Sequence, residues 1–190
     1  MQTEWGKWGK WEETKTFVNK VVGVSIGPDA VEKGAIRRWL ESKQFDCPIY
    51  RDEEAAKNAG YEGIVAPVTM AQTFGIGPYW KPGDPLAKAG DEPKQINIPV
   101  IFDVPAPCTL SFATDIEVEY FTPMLLGDEI MITSKLLDIT HKEMRVGKGA
   151  FLRQEDTYTN QNGQVVAISV LTIFRFNPPE NVPELNKKEQ

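Results

Sequence analysis

Side chains suited to acid–base or nucleophilic chemistry are few in this sequence. His141 is its one histidine, and it lies in a charged segment, 138–143, that is typical of a solvated turn between strands. A single histidine leaves no room for a His-rich metal site or a histidine relay. Cys47 and Cys108 are too few for a disulfide framework, so we expect reduced thiols in a cytoplasmic protein. We predict no metal and no cofactor.

The charge and hydropathy patterns exclude two classes of partner. The formal net charge is −6, whereas phosphate contacts need clustered Lys and Arg, so no nucleic-acid partner is expected. Uncharged apolar runs stay well short of the roughly 20 residues that cross a bilayer, so no membrane segment is predicted. The first residues are polar and aromatic and do not resemble a secretory signal.

One segment, 60–75, organises the rest of the chain. A Gly-rich turn leads into an apolar helix, and Pro67 is placed in its first turn, where proline is tolerated. A helix that is apolar nearly all round must be buried nearly all round. We therefore predict a long buried helix whose N-terminus points at a ligand. The residues that cover its surface are Val65, Val68, Thr69, Met70, Ala71, Gln72 and Phe74.

A strand and two helices are predicted ahead of that segment. The β-branched residues of 17–26 predict extended chain that ends at a Gly-Pro pair. Asp29 is a good N-cap for a surface helix over 30–43, and Asp52 is a good N-cap for a short helix over 53–58.

A long loop and an antiparallel sheet are predicted after the helix. The proline-rich stretch 78–102 is a loop, with an extended piece at 96–104. Apolar and acidic residues alternate over 115–120, which indicates a strand. Asn162-Gly163 is the strongest hairpin signal, and 165–176 is apolar on both faces, as a central strand would be. The predicted class is α+β, with an antiparallel sheet wrapped around the buried helix.

We divide the chain into an N-terminal Trp-rich extension (1–16), one main domain (17–177) and a polar C-terminal tail (178–190). The extension holds three tryptophans at intervals of three. They form either an aromatic face for a partner or a set of anchors that fix a turn onto the body. These residues are Trp5, Trp8 and Trp11.

Two motifs resemble a known family. Pro48-Ile49-Tyr50-Arg51-Asp52-Glu53-Glu54-Ala55-Ala56, followed by Gly60-Tyr61-Glu62-Gly63-Ile64-Val65-Ala66-Pro67-Val68-Thr69, is similar to the MaoC-type dehydratases and in particular to the subgroup called FAS1-like or MaoC N-terminal. The segments 118–123, 127–129 and 156–163 also agree. The resemblance covers 17–177 and implies a hotdog fold.

Members of that superfamily hydrate enoyl thioesters or dehydrate (3R)-hydroxyacyl thioesters. Active members carry Gly-Asp-x-Asn-Pro-Leu-His in the loop over the buried helix, and its Asp and His activate the water. When that motif is aligned on Pro48, the His position holds Tyr50 and the Asp position holds Phe45, with Asp46 off register by one. A tyrosine with a pKa near 10 is a poor base for activating water.

The resemblance therefore implies three possible functions. The first is a non-catalytic, acyl-binding subunit whose hotdog partner supplies the Asp–His pair. The second is an active homomeric hydratase that uses Asp46 with Tyr50. The third is an acyl-CoA-binding protein that is no part of an enzyme.

The implied ligand is an acyl thioester of CoA or of an acyl carrier protein, bound in a homo- or heterodimer with another hotdog subunit. Tyr50 and Tyr61 would lie near the mouth of an acyl channel. The alternative interpretation is that the residues assigned to the channel are ordinary core. The implied channel residues are Ala66, Thr69, Met70 and Phe74.

Overall fold

The computed structural model describes residues 2–3, 6–86, 88 and 97–179. An antiparallel sheet of five strands, in the order β3-β5-β6-β7-β4, forms its centre. A separate pair of two-residue strands precedes it. The strands are β1 (Gln2–Thr3), β2 (Gly6–Lys7), β3 (Val21–Ile26), β4 (Leu110–Tyr120), β5 (Met131–Met144), β6 (Gly147–Thr159) and β7 (Val165–Asn177). The predicted α+β class with an antiparallel sheet is confirmed.

The hairpin between β6 and β7 forms where the sequence predicts it. Gly163 adopts a φ of +75°, which favours glycine. The side-chain oxygen of Asn160 accepts hydrogen bonds from the backbone N–H groups of Asn162 and Gln164. β7 then lies between β6 and β4, so its predicted central position is also correct.

The helix at the centre of the fold is shorter than its sequence pattern suggests. A 3₁₀ turn, Val68–Met70, leads directly into α4 (Ala71–Gly75). The helix ends there because Gly75 packs on Ile132 of the sheet and Pro78 follows closely. One side of it, with Met70 and Phe74, is buried, whereas Val68 is 41% exposed, so burial is one-sided.

The elements before the helix differ from the prediction at their first residues. The strand covers only Val21–Ile26, because Phe17–Lys20 forms turns and Asn19 has a φ of +61°. Helix α2 is Lys33–Lys43, and its N-cap position is held by Glu32, whose side chain makes no capping hydrogen bond, and not by Asp29. Its start is delayed because the backbone N–H of Val31 donates to the Asp128 carbonyl of another loop.

The short helix α3 (Glu53–Asn58) forms as predicted. The carboxylate of Asp52 accepts a 2.6 Å hydrogen bond from the backbone N–H of Ala55, which is the expected N-cap contact. The motif segment that precedes α3 contains a 3₁₀ turn at Pro48–Tyr50. This turn lies beside the chain that enters α4. The Ile49 carbonyl there accepts from the Val65 N–H.

The predicted extended piece at 96–104 is wrong in its described part. Pro99–Phe102 forms a helical turn, α5, with proline at its start. Two side chains from the sheet hold it. The Gln154 amide oxygen accepts from the Val100 N–H, and the Arg175 guanidinium donates to the Val100 and Val104 carbonyls. Side chains that are distant in the sequence thus determine the backbone conformation of 99–102.

The N-terminal extension lies against the main domain. Helix α1 is Trp11–Lys15, and Trp11 packs on the core around α5. Trp8 forms a parallel bridge with Ala106. His141 meets Trp11 edge to face at 4.7 Å and lies inside β5, so its predicted position in a turn is wrong. Trp5 and most of the tail lie outside the described residues.

Two apolar cores share the inner face of the sheet. The first packs α2 and α4 against one end of the strands, through residues such as Ile36, Phe74 and Ile132. The second packs α5 against the other end, through residues such as Val100 and Leu152. Between these two cores, the inner face of the sheet lines a partly open cavity.

Candidate functional site

The segment aligned with the dyad motif places its polar side chains on the surface. The carboxylate of Asp46 pairs with the Arg51 guanidinium at 2.7 Å, and both side chains are more than half exposed. Asp46, Phe45 and Tyr50 line one shallow groove beside α2. A carboxylate held by an arginine at the surface lacks the dry, poised environment of a general base.

Tyr50 is half-buried and packs against the core that surrounds α4. Its ring centroid lies 6.0 Å from that of Phe45. Burial is the main cause that raises the pKa of Tyr50, and Cys47 and Tyr61 raise it further. Tyr50 is therefore a weaker candidate for removing a proton from water at neutral pH than a free tyrosine.

The other predicted site residues divide into a core set and an exposed set. Ala66, Met70 and Phe74 are buried in the core around α4, and the Ala66 N–H donates to the Met124 carbonyl. Thr69 is exposed in the 3₁₀ turn that opens α4. Tyr61 is half-buried and lines a separate hollow near the turn before β5.

A partly open cavity of about 260 Å³ lies between the sheet and the chain on either side of α4 and α5. Gln72 and Ile76 reach it from α4 and the residues after it, and Pro99 reaches it from α5. Gly23 of β3 also lines it. A Cβ at this position would come within 2.6 Å of Pro99. The cavity opens beside the helix that the sequence places at the centre of the fold.

The sheet side of this cavity is polar. Ser134, Gln154 and Asp156 line it, and all three are buried. Sequence reasoning missed them as a site, although one signal was available. In β6, Gln154 and Asp156 occupy the inward-facing positions that alternate with outward ones, where apolar residues are expected.

The residues that the structure describes include no group of three or more side chains placed to hold a metal ion. Among them, no helix is both long and apolar enough to cross a bilayer.

A family model described as "FAS1-like, dehydratase domain region" matches residues 20–169. The chain belongs to this family. It is 32% identical over 153 residues to a probable enoyl-CoA hydratase alpha subunit of Thermomonospora curvata, covering 80% of this chain and 47% of that protein. It is 29% identical over 166 residues to the 3-oxo-4,17-pregnadiene-20-carboxyl-CoA hydratase alpha subunit of Mycobacterium tuberculosis, covering 82% and 49%. The chain thus spans about half the length of these curated relatives.

A solved structure extends the similarity to the whole fold. The ChsH1–ChsH2 complex of Mycobacterium tuberculosis contains a chain that matches with a TM-score of 0.67 at 25% identity, over 90% of this chain and 98% of that one. The FAS1-like domain therefore has the hotdog fold, as the sequence resemblance implies. The similar proteins include hydratase alpha subunits and a hotdog complex of two different subunits.

Proposed function

We propose that this FAS1-like domain is the non-catalytic, acyl-binding subunit of an enoyl-CoA hydratase or (3R)-hydroxyacyl-thioester dehydratase. One observation carries the proposal. The motifs that resemble the family, at 48–56 and 60–69, are present, but the side chains at the dyad positions are Phe45 and Tyr50. The neighbouring Asp46 is paired with Arg51 at the surface.

In the proposed reaction this subunit binds the thioester and leaves proton transfer to its partner. Backbone N–H groups at the start of a helix have no earlier carbonyl to bond and favour developing negative charge. Val68 and Thr69 open the central helix and are exposed, so we assign them to the thioester oxygen. Tyr50, Tyr61, Ala66, Met70 and Phe74 would shape the space around the acyl group. Adding or removing water needs no cofactor.

The proposed partner is a second hotdog subunit that pairs with β4. This strand is at an edge of the sheet, and its inner face presents Ile116, Val118 and Tyr120, which are 59%, 41% and 41% exposed. A long edge strand with exposed apolar side chains favours pairing with another chain. The ligand would be an acyl thioester of CoA or of a carrier protein, and the free thiols of Cys47 and Cys108 favour the cytoplasm.

Assaying the purified chain for hydration of crotonyl-CoA and of a longer enoyl-CoA tests the proposal. We expect acyl-CoA binding by calorimetry without turnover, and turnover when a hotdog partner with an intact Asp–His motif is added. Robust turnover by the isolated chain would overturn the non-catalytic assignment. Loss of that turnover in Asp46→Asn would then establish a homomeric enzyme using Asp46. Binding that no such partner converts into turnover would leave a plain acyl-CoA-binding protein.

A further inference from the structure

A polar belt crosses the inner face of the sheet between the two apolar cores. Ser134 of β5 pairs in register with Asp156 of β6, which pairs with Ser169 of β7. Gln154 lies two positions before Asp156 on the same face. The exposed fractions of these four side chains are only 2–8%. Core positions are normally apolar, so four adjacent buried polar groups need an explanation.

The carboxylate of Asp156 is the centre of this belt. The Ser134 hydroxyl donates to Oδ1 at 2.5 Å, and the Gln154 amide donates to Oδ1 at 2.8 Å and to Oδ2 at 3.0 Å. The Gln154 oxygen accepts from the Val100 N–H of α5, which fixes the direction of the amide. The Gln154 amide is thus shared between the two oxygens, and Oδ2 keeps capacity for a further donor, since a carboxylate oxygen has two lone pairs.

Three residues of the belt, Ser134, Gln154 and Asp156, line the cavity of about 260 Å³. Ile76, Pro78, Ile98 and Leu171 supply apolar walls, and Asp156 supplies charge on the sheet side. Pockets for complete drug-sized ligands have volumes of about 300–1,000 Å³. A cavity somewhat below that range fits the end of a chain or a single ring, with one polar group directed at the sheet.

We propose that this cavity recognises a hydroxyl group on the distal part of the acyl chain, with the alcohol donating its proton to Oδ2 of Asp156. The inference rests on the proposed function, because Gln72 and Ile76 place the cavity beside the helix assigned to the thioester. The site takes an apolar chain end or ring that carries an alcohol and discriminates against the same group bearing a ketone. Both oxygens of Asp156 already accept hydrogen bonds from Ser134 or Gln154, and a carboxylate oxygen in that role has no proton to donate to a ketone oxygen.

The surroundings of Asp156 also favour a role in binding over one in packing. Burial raises the pKa of its carboxyl group, and the hydrogen bonds from Ser134 and Gln154 lower it by less. An acidic side chain is thus kept in a place that disfavours its ionised form, and apolar residues would fill the same positions without that penalty. Proteins retain such unfavourable groups mainly where function needs them.

Two small probes test the proposal on the 190-residue chain. Cyclohexanol and cyclohexanone have nearly the same shape, but only the alcohol donates a hydrogen bond. Titrating each at pH 7.5 into ¹⁵N-labelled protein and following amide shifts measures affinity and location together. We expect cyclohexanol to bind at least tenfold more tightly than cyclohexanone, with shifts centred on Ser134, Asp156 and Ile76.

Asp156→Asn should reduce that preference to less than threefold. Glu155→Gln is the matched control, because it makes the same chemical change one residue away on the opposite face of β6, and it should preserve the preference. The comparison of the two probes in the wild-type chain needs no variant. Equal affinities, no binding of either probe, shifts outside the cavity or an unchanged preference in Asp156→Asn would each overturn the proposal.

A titration with octanoyl-CoA separates this inference from the proposed function. If octanoyl-CoA binds but cyclohexanol does not, the hydroxyl site is wrong and the acyl-binding function stands. If cyclohexanol binds in the cavity but octanoyl-CoA does not bind at all, the acyl-binding function fails. In that case the cavity remains a site for alcohols, and its assignment to an acyl chain is lost.

Discussion

At the scale of single residues, Arg175 shows how one buried side chain organises distant backbone. Its guanidinium, fully shielded from solvent, donates to the carbonyls of Val100, Val104 and Lys7 at 2.9, 2.5 and 2.9 Å. Burial lowers its pKa to about 10, which still leaves it charged at neutral pH. Arg175 therefore ties α5 and the N-terminal strand pair to β7 at one point.

We expect Arg175→Met to lower the free energy of unfolding by about 2–4 kcal/mol. The Val100 and Val104 carbonyls would lose their donor, and the Lys7 carbonyl would keep only the backbone N–H of Ala106. The control is Arg153→Met, which removes a half-exposed ion pair with Asp138. It should lower the free energy of unfolding by less than about 1 kcal/mol. Urea denaturation of both variants measures the difference, and equal losses would contradict this account of Arg175.

Asp156 gives a prediction about pH. Because burial raises its pKa, the folded chain binds this proton more tightly than the unfolded chain does. The unfavourable contribution of Asp156 to the free energy of unfolding therefore grows as the pH rises above 3.8, the ordinary pKa of an aspartate. We expect Asp156→Asn to have a higher free energy of unfolding than wild type at pH 7.5 and to lose that advantage toward pH 4. Urea denaturation of both proteins at both pH values measures this difference in the free energy of unfolding. A difference that does not change with pH would show that burial of the Asp156 carboxyl group is not its cause.

At the scale of elements, the position of α4 on the sheet depends on close approach at Gly27. This residue follows β3, and a Cβ there would lie 1.7 Å from the Phe74 carbonyl oxygen of α4. The Ser25 hydroxyl adds a second link, since it donates to the Gly75 carbonyl and accepts from the Gly77 N–H. Together these contacts fix the end of the helix against the edge strand.

Gly27→Ala should therefore destabilise the protein by about 3 kcal/mol or more, since backbone has to move. Gly63→Ala is the matched control, because a Cβ at Gly63 meets no atom within 4 Å and its φ is not positive. That variant should change the free energy of unfolding by less than about 1 kcal/mol. Thermal unfolding of the two variants compares them, and similar melting temperatures would mean that the contact with Phe74 is unimportant.

At the scale of the whole molecule, the two edges of the sheet differ. β4 runs eleven residues at its edge with exposed apolar side chains, whereas β3 runs six residues at the other edge and is linked through Ser25 to the end of α4. The exposed side of the central helix, with Val68, is likewise uncovered in the single chain. These surfaces explain why a second subunit is part of the proposed function.

We expect the purified chain to dimerise through β4 and Val118→Lys to weaken that association at least tenfold. A lysine on the pairing face would bring a charge into the interface, which disfavours edge pairing. Val21→Lys, at the β3 edge, is the control, because Val21 is also exposed. Light scattering after size-exclusion chromatography measures both, and an interface at β4 is excluded if the two variants behave alike.

Local patterns in the sequence determined several parts of this protein. The Asp52 cap, the Asn162-Gly163 hairpin and the apolar β7 each depend on neighbours within a few residues, so the sequence alone predicts them. The motifs at 48–56 and 60–69 likewise determined the family and, with it, the hotdog fold. The unusual residues at the dyad positions were also visible there.

Only the tertiary structure decided the remainder. The start of α2, the end of α4 and the helical turn at 99–102 depend on residues far away in the sequence, such as Asp128, Ile132 and Arg175. The polar belt around Asp156 exists because sheet register brings three strands together. A strand pattern states which face a side chain occupies, but not which side chains lie beside it on the next strand. The sequence alone therefore does not predict contacts between side chains on neighbouring strands. The candidate binding site consists of such contacts.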